Sequence, residues 1–188
     1  MRTRIWFGAL LVTISVSLLL GSPNATAGNG SGAYKLEGAW VAKVIGIPGQ
    51  WSYVVVADPS GRRASGHGSV DVGFRSEAVG CFAFEPTDFA SPILVNIVMT
   101  GPDTAAYYSI YYGLKNLDEG LLTTEIVYIG IVTGELKFVA PGKANGTHNF
   151  AFFSPTQDAD GDGFPDEGQT PTCVSPPLYT VDTRLPAP

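Results

Sequence analysis

The segment from Asp158 to Gln169 combines residue types and spacing that suit metal binding. Asp158, Asp160 and Asp162 alternate along the chain, and Gly163 follows them. When a backbone coils tightly, alternate aspartates direct their carboxylate oxygens towards one centre, and hard oxygen ligands are those that a calcium ion requires. We therefore expect this segment to bind calcium. The alternative is a solvated acidic turn, because Asp and Gly are common turn residues.

This segment resembles the calcium loops of thrombospondin type 3 repeats, dockerins and EF-hands. The resemblance implies that Phe164 offers its backbone carbonyl and that Asp166 binds the ion directly or through water. Gln169 stands at the twelfth position, where an EF-hand has a bidentate Glu, so the implied affinity is weak. No helical pattern flanks the loop, and Pro165 departs from an ordinary EF-hand. The expected metal ligands are Asp158, Asp160, Asp162, Phe164, Asp166 and Gln169.

Two polar residues interrupt otherwise apolar strand-like runs and are candidates for a second site. Glu125 lies within the run 121–133, and His148 begins the aromatic run 148–153. Inside a barrel they could anchor a ligand or act as an acid/base pair. The alternative is that both side chains face solvent, or that Glu125 pairs with a neighbouring lysine.

Four tyrosines lie close together on one predicted strand. Tyr108 and Tyr112 are expected to face the core, and they join Glu125 and His148 as possible pocket residues. The orientation of Tyr107 and Tyr111 stays open, because aromatic side chains serve equally in pockets and as cross-strand pairs.

The N-terminus has the pattern of a secretory signal peptide. Arg2 and Arg4 precede an apolar run that ends at Leu20, and Ala25-Thr26-Ala27 supplies small residues for cleavage. Residues 1–27 are therefore predicted to be removed and 28–35 to form a flexible leader. We expect a secreted, periplasmic or cell-surface protein with no membrane span in its mature form, because no later stretch is long and apolar enough.

The mature chain, about 160 residues, has the size of one domain, predicted to span 36–188 with a Pro-rich C-terminal tail. The net charge of -6 argues against nucleic acid or anionic membranes as partners. Export would expose Cys81 and Cys173 to oxidising surroundings, which favour a disulfide between them. Two free buried thiols are the alternative.

Short β-like runs separated by turn residues dominate the chain, without convincing helical periodicity. The predicted strands cover residues 38–47, 51–57, 64–74, 81–84, 93–100, 107–114, 121–133, 148–153 and 178–184. Tight sequential connections favour an all-β fold, an antiparallel up-and-down β-barrel, with a β-sandwich as the alternative.

Gly38-Ala39-Trp40 at the start of the first strand resembles the Gly-x-Trp signature of lipocalins and related calycin barrels. A bridge from Cys81 to a late cysteine is similar to the lipocalin disulfide. The resemblance implies a barrel in which a late basic residue, Lys137 or Arg184, covers the tryptophan ring.

These features together predict a secreted binding or structural module with one calcium loop. Its partner would be a small apolar ligand or an extracellular macromolecule. The alternative is a barrel isomerase or hydrolase that uses Glu125 and His148. A filled interior would favour the module, and an enclosed cavity around both side chains would favour the enzyme.

Overall fold

One antiparallel β-sheet dominates the computed structural model, which describes residues 34–46, 48–70, 75–117 and 124–186. Its strands are β1 (Gly38–Val44), β2 (Gln50–Ala57), β3 (Arg63–Val70), β4 (Phe89–Ala90), β5 (Ile93–Met99), β6 (Thr104–Asn116), β7 (Thr124–Ala140), β8 (Lys143–Phe153), β9 (Cys173–Val174) and β10 (Leu178–Arg184). The predicted signal peptide, residues 1–27, and most of the predicted leader lie outside the described residues.

The sheet closes on itself because β10 pairs with both β1 and β8. Thr180 lies opposite Val44 of β1 on one side and opposite Gly146 of β8 on the other. Eight strands, namely β1, β2, β3, β5, β6, β7, β8 and β10, form the ring, while β4 and β9 add two residues each. The prediction of an antiparallel β-barrel is confirmed, and the sandwich alternative is wrong.

Alternation along each strand separates the interior from the outer wall. In β5, Ile93, Val95 and Ile97 are buried, whereas Leu94 and Val98 are exposed. Successive side chains of a strand point to opposite faces, so a closed sheet puts every second residue inside. The interior is therefore a single core built from all eight strands of the ring.

The two ends of the barrel differ. At the hairpin end, short turns join β2 to β3, β5 to β6 and β7 to β8. At the other end, here called the disulfide end, two long connections precede β5 and follow β8. Cys81 and Cys173 join these connections through a disulfide with a Cα–Cα distance of 5.9 Å. The predicted disulfide is therefore confirmed.

One predicted strand is wrong. Residues 81–84 form an irregular segment, in which the Cys81 amide donates to the Ser76 carbonyl and Phe82 is 78% exposed. The disulfide fixes this segment across the barrel end, so it cannot run alongside a neighbouring strand. The strand that pairs with the end of β6 is instead β4, which the sequence pattern did not indicate.

Helical structure in the described ranges is limited to two 3₁₀ turns, Ser76–Val79 and Pro155–Gln157. Within those ranges, no helix is both long enough and apolar enough to cross a membrane.

Candidate metal loop and buried polar network

The acidic loop starts from a capped turn directly after β8. Ser154 precedes the turn, its hydroxyl accepts from the Thr156 amide, and its own amide donates to Gln157 Oε1 at 2.8 Å. This reciprocal capping fixes the direction in which the chain leaves the barrel. The Gln157 carbonyl then accepts from the Asp166 amide at 2.7 Å, so the loop returns to its starting point.

Asp158 organises the coil of this loop. Its Oδ1 accepts from the Gly161 amide and its Oδ2 from the Gly163 amide, both at 3.0 Å. Gly161 and Gly163 have φ values of 75° and 89°, a left-handed conformation that glycine adopts without steric cost. The glycines between the aspartates therefore let the backbone coil around one carboxylate.

Three carboxylates converge in the coil. Asp158, Asp160 and Asp166 each offer an oxygen, and these oxygens lie within 4.8 Å of one another. Both oxygens of Asp166 lie 3.3 Å from the Ala159 amide nitrogen, which holds this carboxylate against the first part of the loop. This arrangement of hard oxygen atoms is the geometry from which a divalent cation site is built.

The Asp162 carboxylate does not join this group, and the Gln169 side chain is hydrogen bonded elsewhere in the loop. Asp162 Oδ1 accepts from the Phe164 amide at 2.8 Å, and the Gln169 side chain accepts from Gln157 Nε2 at 3.3 Å. A role for the Phe164 carbonyl stays a prediction. Of the five side chains expected to bind the ion, the structure thus brings together Asp158, Asp160 and Asp166.

Tyr112 attaches the acidic loop to the outer wall of the barrel. Its hydroxyl donates to the Gly163 carbonyl at 3.0 Å. Partial burial, followed by the negative charges of Asp158 and Asp162, raises the pKa of the Tyr112 phenol. Tyr112 therefore belongs to the loop and not to an interior pocket, so the predicted pocket role is wrong.

A second apolar cluster lies beside this attachment, on the outer wall. Ile110, Ile129 and Phe153 are almost fully buried there, and Tyr112 packs against them. The turn Pro155–Gln157 contacts β7 at the same place. The loop thus rests on an apolar part of the wall.

A separate polar network occupies the barrel interior. The His148 ring lies edge-on to Trp51 and to Tyr107, with ring centroids 4.9 Å apart in both pairs. His148 Nε2 is 3.2 Å from Thr180 Oγ1, and Thr180 donates to Asp182 Oδ1 at 2.6 Å.

Tyr53 completes this network from the opposite side. Its hydroxyl donates to Asp182 Oδ2 at 2.9 Å, so both carboxylate oxygens have a donor. Tyr53, His148, Thr180 and Asp182 are each at most 1% exposed. A carboxylate and an imidazole therefore lie together in a part of the interior that solvent does not reach.

Burial governs the protonation of this network. It raises the pKa of Asp182 to about 6, although the hydrogen bonds from Thr180 and Tyr53 oppose the shift. Burial also lowers the pKa of His148 to about 4. Desolvation disfavours the charged form of each group, which is why the two pKa values move in opposite directions.

Strand glycines provide the space for these large side chains. A Cβ atom on Gly146 would lie 2.4 Å from His148 Nε2 and 2.3 Å from Thr180 Oγ1. Tyr128 occupies the corresponding space over Gly113, and Tyr111 over Gly130. Glycine opposite an aromatic residue on a paired strand is the sequence signal that could have located the interior ring system.

Side chains fill the rest of the interior. A void near the disulfide end leaves about 10 Å³ for the centre of a water molecule, which is roughly the room that one water needs. Its lining is almost entirely apolar and includes Trp51, Ile93, Tyr107, Tyr111, Val132 and Phe150.

The predicted pairing of Glu125 with His148 is wrong. Glu125 is exposed near the start of β7, opposite Lys115, while His148 is buried inside the barrel. Lys115 itself contacts Glu85, with Nζ 2.6 Å from Oε2. His148 lies opposite Gly134, nine residues further along β7 than Glu125, which is roughly 30 Å of strand, so the two cannot form an acid/base pair.

Tyr108 and Tyr112 do not face the core as expected, and Tyr107 and Tyr111, whose orientation the sequence leaves open, face the interior. Tyr107 and Tyr111 are 3% and 0% exposed inside the barrel, and Tyr108 and Tyr112 lie on the outer wall. The predicted pocket role of Tyr108 is therefore wrong as well. The outer wall of β6 is itself apolar near Ile110, so alternation alone did not distinguish the two faces.

Trp40 fills the hairpin end. Its Nε1 donates to the Leu36 carbonyl at 2.8 Å, and Arg184 lies directly opposite it on β10. Arg184 Nη1 donates to the Glu37 carbonyl at 3.4 Å, while Lys137 contacts Asp103 outside the barrel, 2.5 Å from Nζ to Oδ2. Of the two basic candidates, Arg184 is the one beside the tryptophan.

No protein-family model matches this chain, and no curated protein matches it. Among solved structures, the chain is similar to EF1p2_mFAP2b bound to DFHBI, with 14% identity and a TM-score of 0.42. The match covers 80% of this chain and 94% of that one. The assignment of a barrel depends on the strand pairing and not on this similarity.

Proposed function

We propose that the protein is an exported, calcium-stabilised β-barrel module without catalytic activity, in which the acidic loop binds one calcium ion. The convergence of the Asp158, Asp160 and Asp166 oxygens within 4.8 Å carries this proposal. Three carboxylates held so close repel one another, and a divalent cation would convert that repulsion into attraction. The lipocalin-like ancestry and the location outside the cytoplasm remain parts of the proposal.

The expected role of the ion is structural. It would hold the loop on the outer wall, where Tyr112 donates to the Gly163 carbonyl, and would thereby support the approach of Cys173 to Cys81. Because Gln169 replaces a bidentate Glu, we expect a dissociation constant of about 10⁻⁴–10⁻³ M. Millimolar calcium would then add about 1 kcal/mol to the free energy of unfolding.

Titration calorimetry tests this proposal. Wild-type protein should bind one calcium ion, and Asp160→Ala should abolish the binding heat because it removes one of the three converging carboxylates. Glu167→Ala is the matched control: Glu167 is an exposed acid of the same loop, outside the converging group, so its removal should leave the affinity within about threefold.

Tyr112 provides a second readout of the same site. The Asp158 and Asp162 charges contribute to raising the pKa of its phenol, so a bound cation should lower that pKa. The tyrosinate absorbance that disappears in Tyr112→Phe should accordingly develop at lower pH when calcium is present. If wild-type protein gives no binding heat and its melting temperature is indifferent to a chelator, the loop is a solvated turn and the proposal fails.

A small apolar ligand is a second candidate partner, at an outer groove floored by Val56, Ser65, Asn96 and Val98. This outer groove holds about 540 Å³ of space, within the range of ligand sites, whereas the interior void has room for one water. Val56 and Val98 are 66% and 40% exposed there, and Arg63 and Asp58 lie at its edge.

The dye 1-anilinonaphthalene-8-sulfonate suits the outer groove as a probe, because its ring system is apolar and its sulfonate can approach Arg63. Val56→Asp should weaken its binding about tenfold, since a buried Val side chain contributes about 1.5 kcal/mol. Val139→Asp is the control, the same substitution at a 55% exposed valine outside the groove. Equal fluorescence titrations for both variants would remove the groove as the binding site.

A further inference from the structure

We propose that His148, Thr180 and Asp182 form a proton wire whose hydrogen bonds reverse direction when Asp182 takes up a proton. The wire would make the barrel core a switch that responds to mild acid. It is independent of the calcium loop, because its residues lie in β8 and β10 inside the barrel.

The direction of the wire is determined while Asp182 is ionised. A carboxylate can only accept, so the single hydroxyl proton of Thr180 goes to Asp182 Oδ1 at 2.6 Å. Thr180 Oγ1 must then accept in its other contact, and His148 Nε2 at 3.2 Å has to be the protonated nitrogen. The imidazole is accordingly the Nε2–H tautomer, with an unprotonated Nδ1 that has no partner among the described residues.

Protonation of Asp182 removes that constraint. When Oδ1 binds a proton from solvent, the new carboxyl O–H would donate to Thr180 Oγ1. The Thr180 hydroxyl would then rotate and donate to His148 Nε2. Nε2 can accept only if it releases its proton to solvent and Nδ1 takes up a solvent proton in exchange, which leaves the imidazole neutral. The net change is one proton added to Asp182, and the imidazole changes tautomer without changing charge.

The second carboxylate oxygen offers a less suitable route. Oδ2 is 2.9 Å from the Tyr53 hydroxyl, which already donates to it. If Oδ2 were protonated, the Tyr53 hydroxyl would lose its acceptor and would need another one. The route through Thr180 ends instead at His148 Nε2, which can act as a donor in one tautomer and as an acceptor in the other. The route through Thr180 keeps both carboxyl oxygens, the Thr180 hydroxyl and His148 Nε2 hydrogen bonded, and only Nδ1 lacks a partner in either tautomer.

The groups around the wire allow this change. In the described core, Asp182 and His148 are the only buried residues among Asp, Glu, His, Lys and Arg. Tyr53 of β2 and Tyr107 of β6 face the network and remain neutral, because burial raises the pKa of both phenols. Arg184, two residues further along β10, directs Nη1 to the Glu37 carbonyl at the hairpin end.

The remaining interior neighbours carry no ionisable side chain. They are Trp40 and Ala42 of β1, Gly66 and Gly68 of β3, Val95 and Ile97 of β5, and Gly134 and Leu136 of β7. With a pKa of about 6 for Asp182 and about 4 for His148, the core would take up its first proton on the carboxyl group.

Nitrogen-15 NMR of the two histidines tests the wire, because each imidazole tautomer has a distinct pair of nitrogen shifts. His67 is exposed and serves as the internal reference, and His67→Gln assigns the signals. His148 should be the Nε2–H tautomer at pH 8 and should shift towards Nδ1–H as the pH falls through about 6. The change of the His148 tautomer with pH should have the same midpoint as the change in the carbon-13 chemical shift of the Asp182 carboxyl group.

Thr180→Val should uncouple the two titrations, because it keeps the side-chain shape and removes the hydroxyl that connects them. Thr180→Ser keeps the hydroxyl and should keep the coupling, which preserves the test if the valine variant fails to fold. Thr183→Val, an exposed neighbour, is the control. An unchanged His148 tautomer while Asp182 protonates, or an imidazolium forming near pH 6, would refute the wire.

Discussion

Replacing Cys81 and Cys173 by alanine is expected to lower the free energy of unfolding by about 4–5 kcal/mol. The two cysteines are 92 residues apart in sequence, so their bond closes a large loop in the unfolded chain. In the chain-entropy model, the stabilisation grows with the logarithm of the loop length. The bond also fixes the two long connections to each other at the disulfide end. Each connection has only a two-residue strand paired with the ring among the described residues: β4 pairs with β6, and β9 pairs with β8.

Urea unfolding of the oxidised wild type, the reduced wild type and the double variant measures this effect. The reduced protein and the variant should unfold at similar urea concentrations, both well below the oxidised protein. A matched control replaces the exposed neighbours, Phe82→Ser and Val174→Thr, which should change the free energy by less than about 0.5 kcal/mol. Coincident curves for oxidised and reduced wild type would contradict the expectation.

The barrel could be predicted from the sequence because its signals are local. Period-two alternation in β5 and tight turn residues between β2 and β3 specify strands and hairpins without knowledge of the rest of the chain. The spacing of Asp158 and Asp160 is equally local, and it predicted part of the converging carboxylate group. Asp166, also an expected ligand, joins the group because its backbone amide donates to the Gln157 carbonyl and so returns the chain to the start of the loop.

The orientation of β6 could not be predicted in the same way. Both faces of this strand are apolar, because the outer wall at Ile110 is covered while the inner face carries Tyr107 and Tyr111. Alternation then distinguishes the faces no better than chance. The two faces are distinguished by the pairing of glycines with tyrosines: Gly130 lies opposite Tyr111, and Gly113 lies opposite Tyr128. This signal can be recognised only when the register between the two strands is known.

The buried network has no local signal of its own. Asp182 stands between Val181 and Thr183 near the end of a short strand and resembles any surface acid, yet it is fully buried. Glu125, in a long apolar run, is exposed. Burial of Asp182 depends on ring closure, which places β10 between β1 and β8. Only that closure brings Tyr53 and Thr180 to the two carboxylate oxygens.

Asp182→Asn is expected to raise the free energy of unfolding at pH 8 by about 3 kcal/mol. Burial raises the folded-state pKa of Asp182 to about 6, above the value of 3.8 that applies to an unperturbed side chain. Above pH 6 the folded protein must hold an ionised carboxylate in a dry core, which costs free energy that the isosteric amide avoids. As the pH falls from 6 towards 3.8 the wild type gains this stability back, so the difference between the proteins should vanish.

His148 opposes this gain in the wild type. Its folded-state pKa of about 4 is below the ordinary 6.5, so its contribution is complete above pH 6.5 and is lost as the pH falls towards 4. Because the two effects oppose each other, the free energy of unfolding of the wild type should change little between pH 4 and 6.5. Asp182→Asn removes one of them, so the variant should lose stability steeply over this interval, by about 3 kcal/mol.

Urea unfolding of the wild type and Asp182→Asn at pH 8, 6 and 4 measures both effects. Glu135→Gln, an exposed acid on β7, is the control and should leave the free energy within about 0.5 kcal/mol at each pH. A destabilised Asp182→Asn at pH 8 would show that the bonds from Tyr53 and Thr180 outweigh the cost of the buried charge. Because an amide can donate to only one of these hydroxyls and accept from the other, that result would also measure how strongly the network depends on a carboxylate that accepts from both.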